Sequence, residues 1–254
     1  MPGNEVMVCK YLVKNLGKMA LPRLGVIESV GAPNKGYPGY RSLTKVDDCE
    51  LLSPPDARKK ADLYLNGIGV SVKQTGASFP FNRLQRANIL ALFSSLGFSE
   101  IERKLAQLDE EVKHFHEGAL ERRNRPWRDF FTEEDFKQLL EYLMMKGSPN
   151  LGPSDHPAKL ILEGSETDPP VITVYEFDEY FSIYKDKFKV AIRRQWVGQS
   201  SDSEHRRALG LAEKRDNSPW VFDDAVGTPR TGWRTNWSEN RRRTVYFLMI
   251  EKER

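Results

Sequence analysis

The dipeptide Asn66-Gly67, set between the runs DLYL and IGVSVK, constrains the fold more than any other feature of the chain. A two-residue type I′ turn needs positive φ at both central positions, which Asn and Gly tolerate, so the flanking runs are predicted to pair as an antiparallel hairpin. Facing residues then have numbers summing to 133, which sets Leu65 against Ile68 and Asp62 against Ser71. Side chains alternate along a strand. Leu63, Leu65, Val70 and Val72 therefore share an apolar face, while Asp62, Ser71 and Lys73 share the other. A carboxylate, a hydroxyl and an ammonium meet there within roughly 5–8 Å, the spacing of facing and diagonal neighbours.

That trio suits chemistry on a phosphodiester. A carboxylate can hold a hard cation such as Mg²⁺, which polarises phosphate oxygens, and a nearby lysine can stabilise the charge that develops. The segment after Lys73, QTGASFPFNRLQR, is polar and basic and leads to a predicted helix whose N-terminal N–H groups could receive a phosphate. The same residues on a bare solvated hairpin would be an ordinary surface ion pair.

These residues resemble the PD-(D/E)xK nuclease superfamily, specifically its type II restriction endonucleases, over about residues 1–97. In that resemblance Asp62 matches the motif aspartate, Ser71-Val72-Lys73 the acid-x-Lys strand, and Glu5 the glutamate of the first helix. The chain departs from the pattern at Ala61, where the family prefers proline, and at Ser71, where it expects a second acidic ligand. The resemblance implies that the missing oxygen comes from elsewhere, with Glu5 the first candidate and Gln85 the second. It also implies a Mg²⁺-dependent, sequence-specific endonuclease acting on double-stranded DNA, possible homodimerisation on a palindromic target, and a companion DNA methyltransferase encoded nearby. A structure-specific repair nuclease on the same core, and a DNA-binding module with a decayed site, stay open beside it.

Charge is unevenly spread over the 254 residues. Residues 1–90 carry 13 basic and 7 acidic side chains, residues 91–189 carry 13 and 20, and residues 190–254 carry 13 and 9. Basic ends around an acidic middle favour a polyanionic partner. Arg supplies 11 of the last block's 13 cations, and Arg suits bidentate phosphate and guanine contacts. Two stretches have the composition of base-reading segments: Gln74, Ser78, Asn82, Arg83 and Arg86 after the hairpin, and Arg230, Arg234, Asn236 and Arg241 interleaved with Trp233 and Trp237. The stretch GAPNKGYPGYR (31–41) shows no strand or helix period and reads as a surface loop or arm whose aromatic and basic residues could touch DNA.

Helices are predicted from Asn4 to about Leu16, from Asn82 to Gly97, from a Ser99/Glu102 capping box to about His116, and from Thr132 to Lys146. KLILEG, PPVITVYEF, FKVAIRRQWVG and RTVYFLMIEK read as strands. This order indicates an α/β (mixed α+β) protein with a central mixed β-sheet flanked by helices. A single domain is expected, with a core over about 1–97, a helical layer over about 98–147, and strands with a DNA-contact loop over about 158–254. The sequence has no apolar run of membrane-spanning length and no signal-peptide pattern, so a cytoplasmic protein is expected. Cys9 and Cys49 read as small apolar residues, and His156 and His205 as surface residues.

Overall fold

A computed structural model of the chain describes residues 4–52 and 58–254. In chain order they form α1 (Asn4–Lys14), β1 (Ala20–Leu21), β2 (Gly25–Val26), β3 (Val30–Pro33), β4 (Tyr40–Leu43), β5 (Leu63–Leu65), β6 (Ile68–Gln74), β7 (Phe79–Leu84), α2 (Arg86–Ser95), α3 (Ile101–His116), β8 (Asn124–Pro126) and α4 (Glu133–Glu141). They continue as β9 (Gly147–Ser148), β10 (Gly152–Pro153), β11 (Leu160–Gly164), β12 (Ile172–Tyr175), α5 (Phe177–Tyr184), β13 (Phe188–Val197), α6 (Asp202–Ala212), β14 (Val221–Phe222) and β15 (Arg243–Lys252). The architecture is mixed, with parallel and antiparallel pairing in one sheet and helices packed on strands. No helix among the described residues is long and apolar enough to cross a membrane.

Two compact units divide the chain. One comprises residues 1–79, 140–187 and 252–254, the other 80–139 and 188–251. The first unit holds a six-stranded sheet in the order β12-β11-β6-β5-β3-β4. Its centre is the predicted hairpin, in the predicted register: Leu63 faces Val70, Tyr64 faces Gly69 and Leu65 faces Ile68. Asn66 and Gly67 take φ of 49° and 79°, as a type I′ turn requires. The Asn66 side chain also accepts from the N–H groups of Glu28 and Ser29 and donates to the carbonyls of Leu24 and Val26, tying the turn to the preceding segment.

The apolar face of this sheet is the core. Val8, Cys9 and Leu12 of α1 pack with Leu63, Leu65, Val70, Val72, Leu160, Leu162 and Val174, all buried. Truncating one such leucine to alanine costs about 2–5 kcal/mol. β11 runs parallel to β6, setting Ile161 beside Ser71 and Glu163 beside Lys73. The expected core of 1–97 is therefore incomplete without residues 160–175. At Gly164 a Cβ would lie 2.5 Å from Val8, so the absence of a side chain lets α1 approach the end of β11.

The second unit is built on β14-β15-β13-β8, with β7 also pairing with β15. Three expectations change. FPFNRL forms strand β7, so the helix expected to open at Asn82 begins at Arg86. Alternating side chains and Pro80 favour extension over those residues. The helix from Ile101 to His116 forms without the Ser99/Glu102 capping box, because Glu100 takes a left-handed φ of 50° at the N-cap. In the first unit, residues 31–41 are not a loop but most of an antiparallel hairpin, β3 against β4, with Gly31 facing Ser42 and Pro33 facing Tyr40.

Candidate active site

Asp62 stands just before β5, where its N–H donates to the Val70 carbonyl. Its Oδ2 accepts from the Val72 N–H at 2.8 Å, so a side chain completes the ladder that the backbone leaves open. The Ser71 hydroxyl lies 3.4 Å from the same oxygen. Lys73 Nζ donates to Ser71 Oγ at 2.7 Å and to the Val72 carbonyl at 3.1 Å, and stands 3.8 Å from Asp62 Oδ2. The three residues singled out by the turn register thus converge on one sheet face. Ser71 is buried, whereas Asp62 and Lys73 retain side-chain exposures of 14% and 19%, enough for a solvent-borne group to reach them.

Glu5, in the first turn of α1, feels the charges of Asp62, Lys59 and Lys73. Asn4 anchors that turn by donating to the carbonyls of Lys73 (3.1 Å) and Gly164 (3.3 Å), at the adjacent ends of β6 and β11. Burial raises the Glu5 carboxyl above its ordinary value, and the Asp62 charge raises it further, while Lys59 and Lys73 pull it down. The Asp62 charge is thus one of the causes that disfavour ionisation of Glu5. Among the described residues no group of three or more His, Cys, Asp or Glu side chains is placed to hold a metal.

Sequence reasoning passed over two more cations here. Lys59 Nζ lies 3.9 Å from Asp62 Oδ1. Lys60 is 8% exposed, and burial, with help from the Lys73 charge and against that of Asp62, brings its ammonium down to about 8. The signal was present as the run Arg58-Lys59-Lys60 directly before Ala61-Asp62. His156, expected at the surface, is buried. It donates from Nε2 to the Asn34 carbonyl at 2.9 Å and accepts from the Tyr64 hydroxyl at 3.1 Å, and its own carbonyl receives the N–H groups of Lys60 and Ala61. Its carbonyl thereby holds the backbone immediately before Asp62.

Glu163, beside Lys73 in register, looks at first like the missing acid. Its carboxylate is instead buried and held by Tyr180 at 3.2 Å and Tyr184 at 2.8 Å. Buried Lys252 packs against this group, its Nζ 4.2 Å from the Tyr184 ring centre and 5.4 Å from that of Phe79, which Lys73 also faces at 5.7 Å. Burial and the carboxylate both raise the two phenols, keeping them neutral donors.

The remaining candidates divide between the units. Gln74 ends β6, half-buried, and Ser78 is exposed. The side chain of Asn82 lies outside the described residues. Gln85 belongs to the second unit, where Lys214 donates to its Oε1 at 2.8 Å. Arg83 stacks 4.7 Å over Phe247 and reaches Gln195. Arg86 is committed within the fold: it forks onto Asp109 at 2.8 and 3.0 Å and donates to the Asp216 carbonyl. The start of α2 is not an open phosphate cradle, because Asn217 Oδ1 takes the Ala87 N–H at 2.8 Å.

In the C-terminal loop, Arg230 and Asn236 are exposed. Arg241 lies 4.1 Å over the Trp237 ring, while Arg234 pairs with Asp202 and donates to the Gln199 carbonyl. Ser200 and residues 233–237 line a cavity of about 410 Å³. His205, expected at the surface, is buried against Trp237 and accepts the Gly198 N–H. No protein-family model, curated protein or solved structure matches the chain.

Proposed function

We propose that the chain is a Mg²⁺-dependent endonuclease cutting double-stranded DNA at a defined sequence, on a core of the PD-(D/E)xK type. The observation that carries this reading is the convergence of Asp62, Ser71 and Lys73 on one partly open sheet face, with Glu5 of α1 near enough to feel the Asp62, Lys59 and Lys73 charges. Asp62 and Glu5 would hold the cation, with the Ser71 hydroxyl beside them in place of the usual second acid. When bound, it supplies charge neutralisation at the phosphodiester and an acidified water. Lys73 is oriented by Ser71 and the Val72 carbonyl, so that its ammonium stands ready to meet the negative charge that grows on the phosphate. Lys59 adds positive potential at the Asp62 edge. Arg83, Arg230, Asn236 and Arg241, with Gln74 and Ser78, are the proposed DNA contacts that keep solvent access; Arg86 serves the fold.

The test is incubation of the purified protein with plasmid and Mg²⁺. Discrete fragments are expected. Nicking, or cutting only at branches, would point to a repair nuclease, and intact DNA with retained binding to a decayed site. Asp62→Ala and Lys73→Ala should each lower the cleavage rate by about 10²–10³-fold, the scale of losing a charge-stabilising group, with duplex affinity nearly kept. Glu5→Gln should need more Mg²⁺ for half-maximal rate. Full activity in the Asp62 or Lys73 variant would end the assignment.

A further inference from the structure

The hairpin of β3 and β4 has no part in the site above, yet its placement is specific. Gly31 faces Tyr64 and Val30 faces Leu65 in antiparallel register, so moving along β3 from Gly31 to Pro33 runs back along β5 towards Asp62. β5 is in turn antiparallel to β6, so the same direction leads towards Ser71 and Lys73. The tip, residues 34–39, therefore leaves the sheet at the end that carries Asp62 and Lys73. Two strand spacings separate it laterally from β6, about 10 Å. The base of the tip is tied to that end as well, since His156 holds the Asn34 carbonyl with its ring and the Lys60 and Ala61 N–H groups with its backbone.

The tip is ordered by its own bonds. The Asn34 N–H donates to the Gly39 carbonyl at 3.1 Å, and Gly36 and Gly39 take φ of 81° and 94°, values that suit glycine. Tyr40 stacks on Tyr64 with ring centres 4.4 Å apart, over Gly31, where a Cβ would lie 2.3 Å from the Tyr40 ring. Beyond this brace, residues 35–42 are exposed without a break, and Tyr37 keeps 60% of its surface in water. From residue 29 to residue 46 the chain carries Lys35, Arg41 and Lys45 and no carboxylate. A rigid projection with an exposed ring, cations and no acid complements a polyanion that also offers apolar sugar and base edges.

We infer that the β3–β4 hairpin is a duplex-contacting arm, in which Lys35 meets a backbone phosphate and Tyr37 packs into the groove beside the phosphodiester presented to Asp62 and Lys73. This rests on the nuclease reading for its substrate but not on the chemistry of the site. It adds Lys35 and Tyr37 to the contact surface and makes the arm a source of binding rather than of rate.

The experiment measures anisotropy of a labelled 30-base-pair duplex in Ca²⁺ across a salt series, and cleavage in Mg²⁺, for the wild-type chain, Lys35→Ala/Tyr37→Ala, and Lys35→Gln. The double variant should bind about tenfold or more weakly and lose about 0.9 from the slope of log K against log salt, with the melting temperature unchanged. Lys35→Gln, which keeps the Tyr37 contact, should show the same slope change with a smaller loss of affinity. At saturating DNA both should cut at the wild-type rate within about twofold, the mark of lost binding shared by ground and transition states. Wild-type affinity and slope in both variants would overturn the arm while leaving cleavage, and the nuclease reading, intact. Duplex binding that the variants weaken, without cleavage by the wild type, would remove the nuclease and keep the arm. A wild-type chain that does not bind duplex, or a tip whose loss weakens only single-stranded binding, would overturn the arm.

Discussion

Lys60 shows how a single side chain registers the site around it. Its ammonium is 8% exposed, and burial with the neighbouring Lys73 charge lowers it from the ordinary 10.5 to about 8. Below pH 8 the folded protein holds a charge that burial disfavours; above 10.5 the group is neutral in folded and unfolded chains alike. Its favourable share of stability is therefore present at high pH and lost as pH falls through about 8. Lys60→Met should raise stability at pH 7 by on the order of 3 kcal/mol, with the gain fading by about pH 10.5 in chemical denaturation. An equal gain at every pH would mean that packing, not charge, separates the variants. Glu5 works in the opposite sense, its raised carboxyl favouring the folded state more at low pH than at neutral pH.

At the scale of elements, positioning depends on side chains that complete backbone ladders and helix ends. Asp62 caps the Val72 N–H, Asn4 fastens α1 to two strand ends, and Asn217 caps α2. Arg86 belongs to the same class: with Trp220, whose ring N–H lies 2.7 Å from Asp109, it holds the start of α2 to α3. Arg86→Ala should cost about 2–3 kcal/mol, the value of hydrogen bonds to a charged group, seen as a lower melting temperature. Duplex affinity of the folded fraction should stay close to wild type. A large loss of affinity with an unchanged melting temperature would return Arg86 to the DNA contacts that its sequence neighbourhood suggested.

For the whole molecule, neither compact unit is a continuous segment of chain. The sheet that bears Asp62 and Lys73 takes β11 and β12 from residues 160–175, so β6 in a fragment of residues 1–97 would have an open edge and lack Leu160, Leu162 and Val174 from its core. That fragment, expressed alone, should show no cooperative melt by circular dichroism while the full chain does; a cooperative transition in the fragment would show that the remaining strands suffice. The basic and acidic blocks along the sequence do not coincide with these units, because each unit draws on more than one block.

The register of the β5–β6 hairpin, the sharing of a face by Asp62, Ser71 and Lys73, and the strands Leu160–Gly164 and Arg243–Lys252 were legible from order alone, because turn chemistry and a period of two act between near neighbours. The diversion of Glu163 to two tyrosines, the burial of His156 and His205, and the commitment of Arg86 to Asp109 were not. Each depends on partners between 7 and 130 residues away along the chain, as Gly198 is for His205, Asn34 for His156 and Asp216 for Arg86. A side chain's type gives the bonds it can make, and only the folded chain decides which partner is within reach.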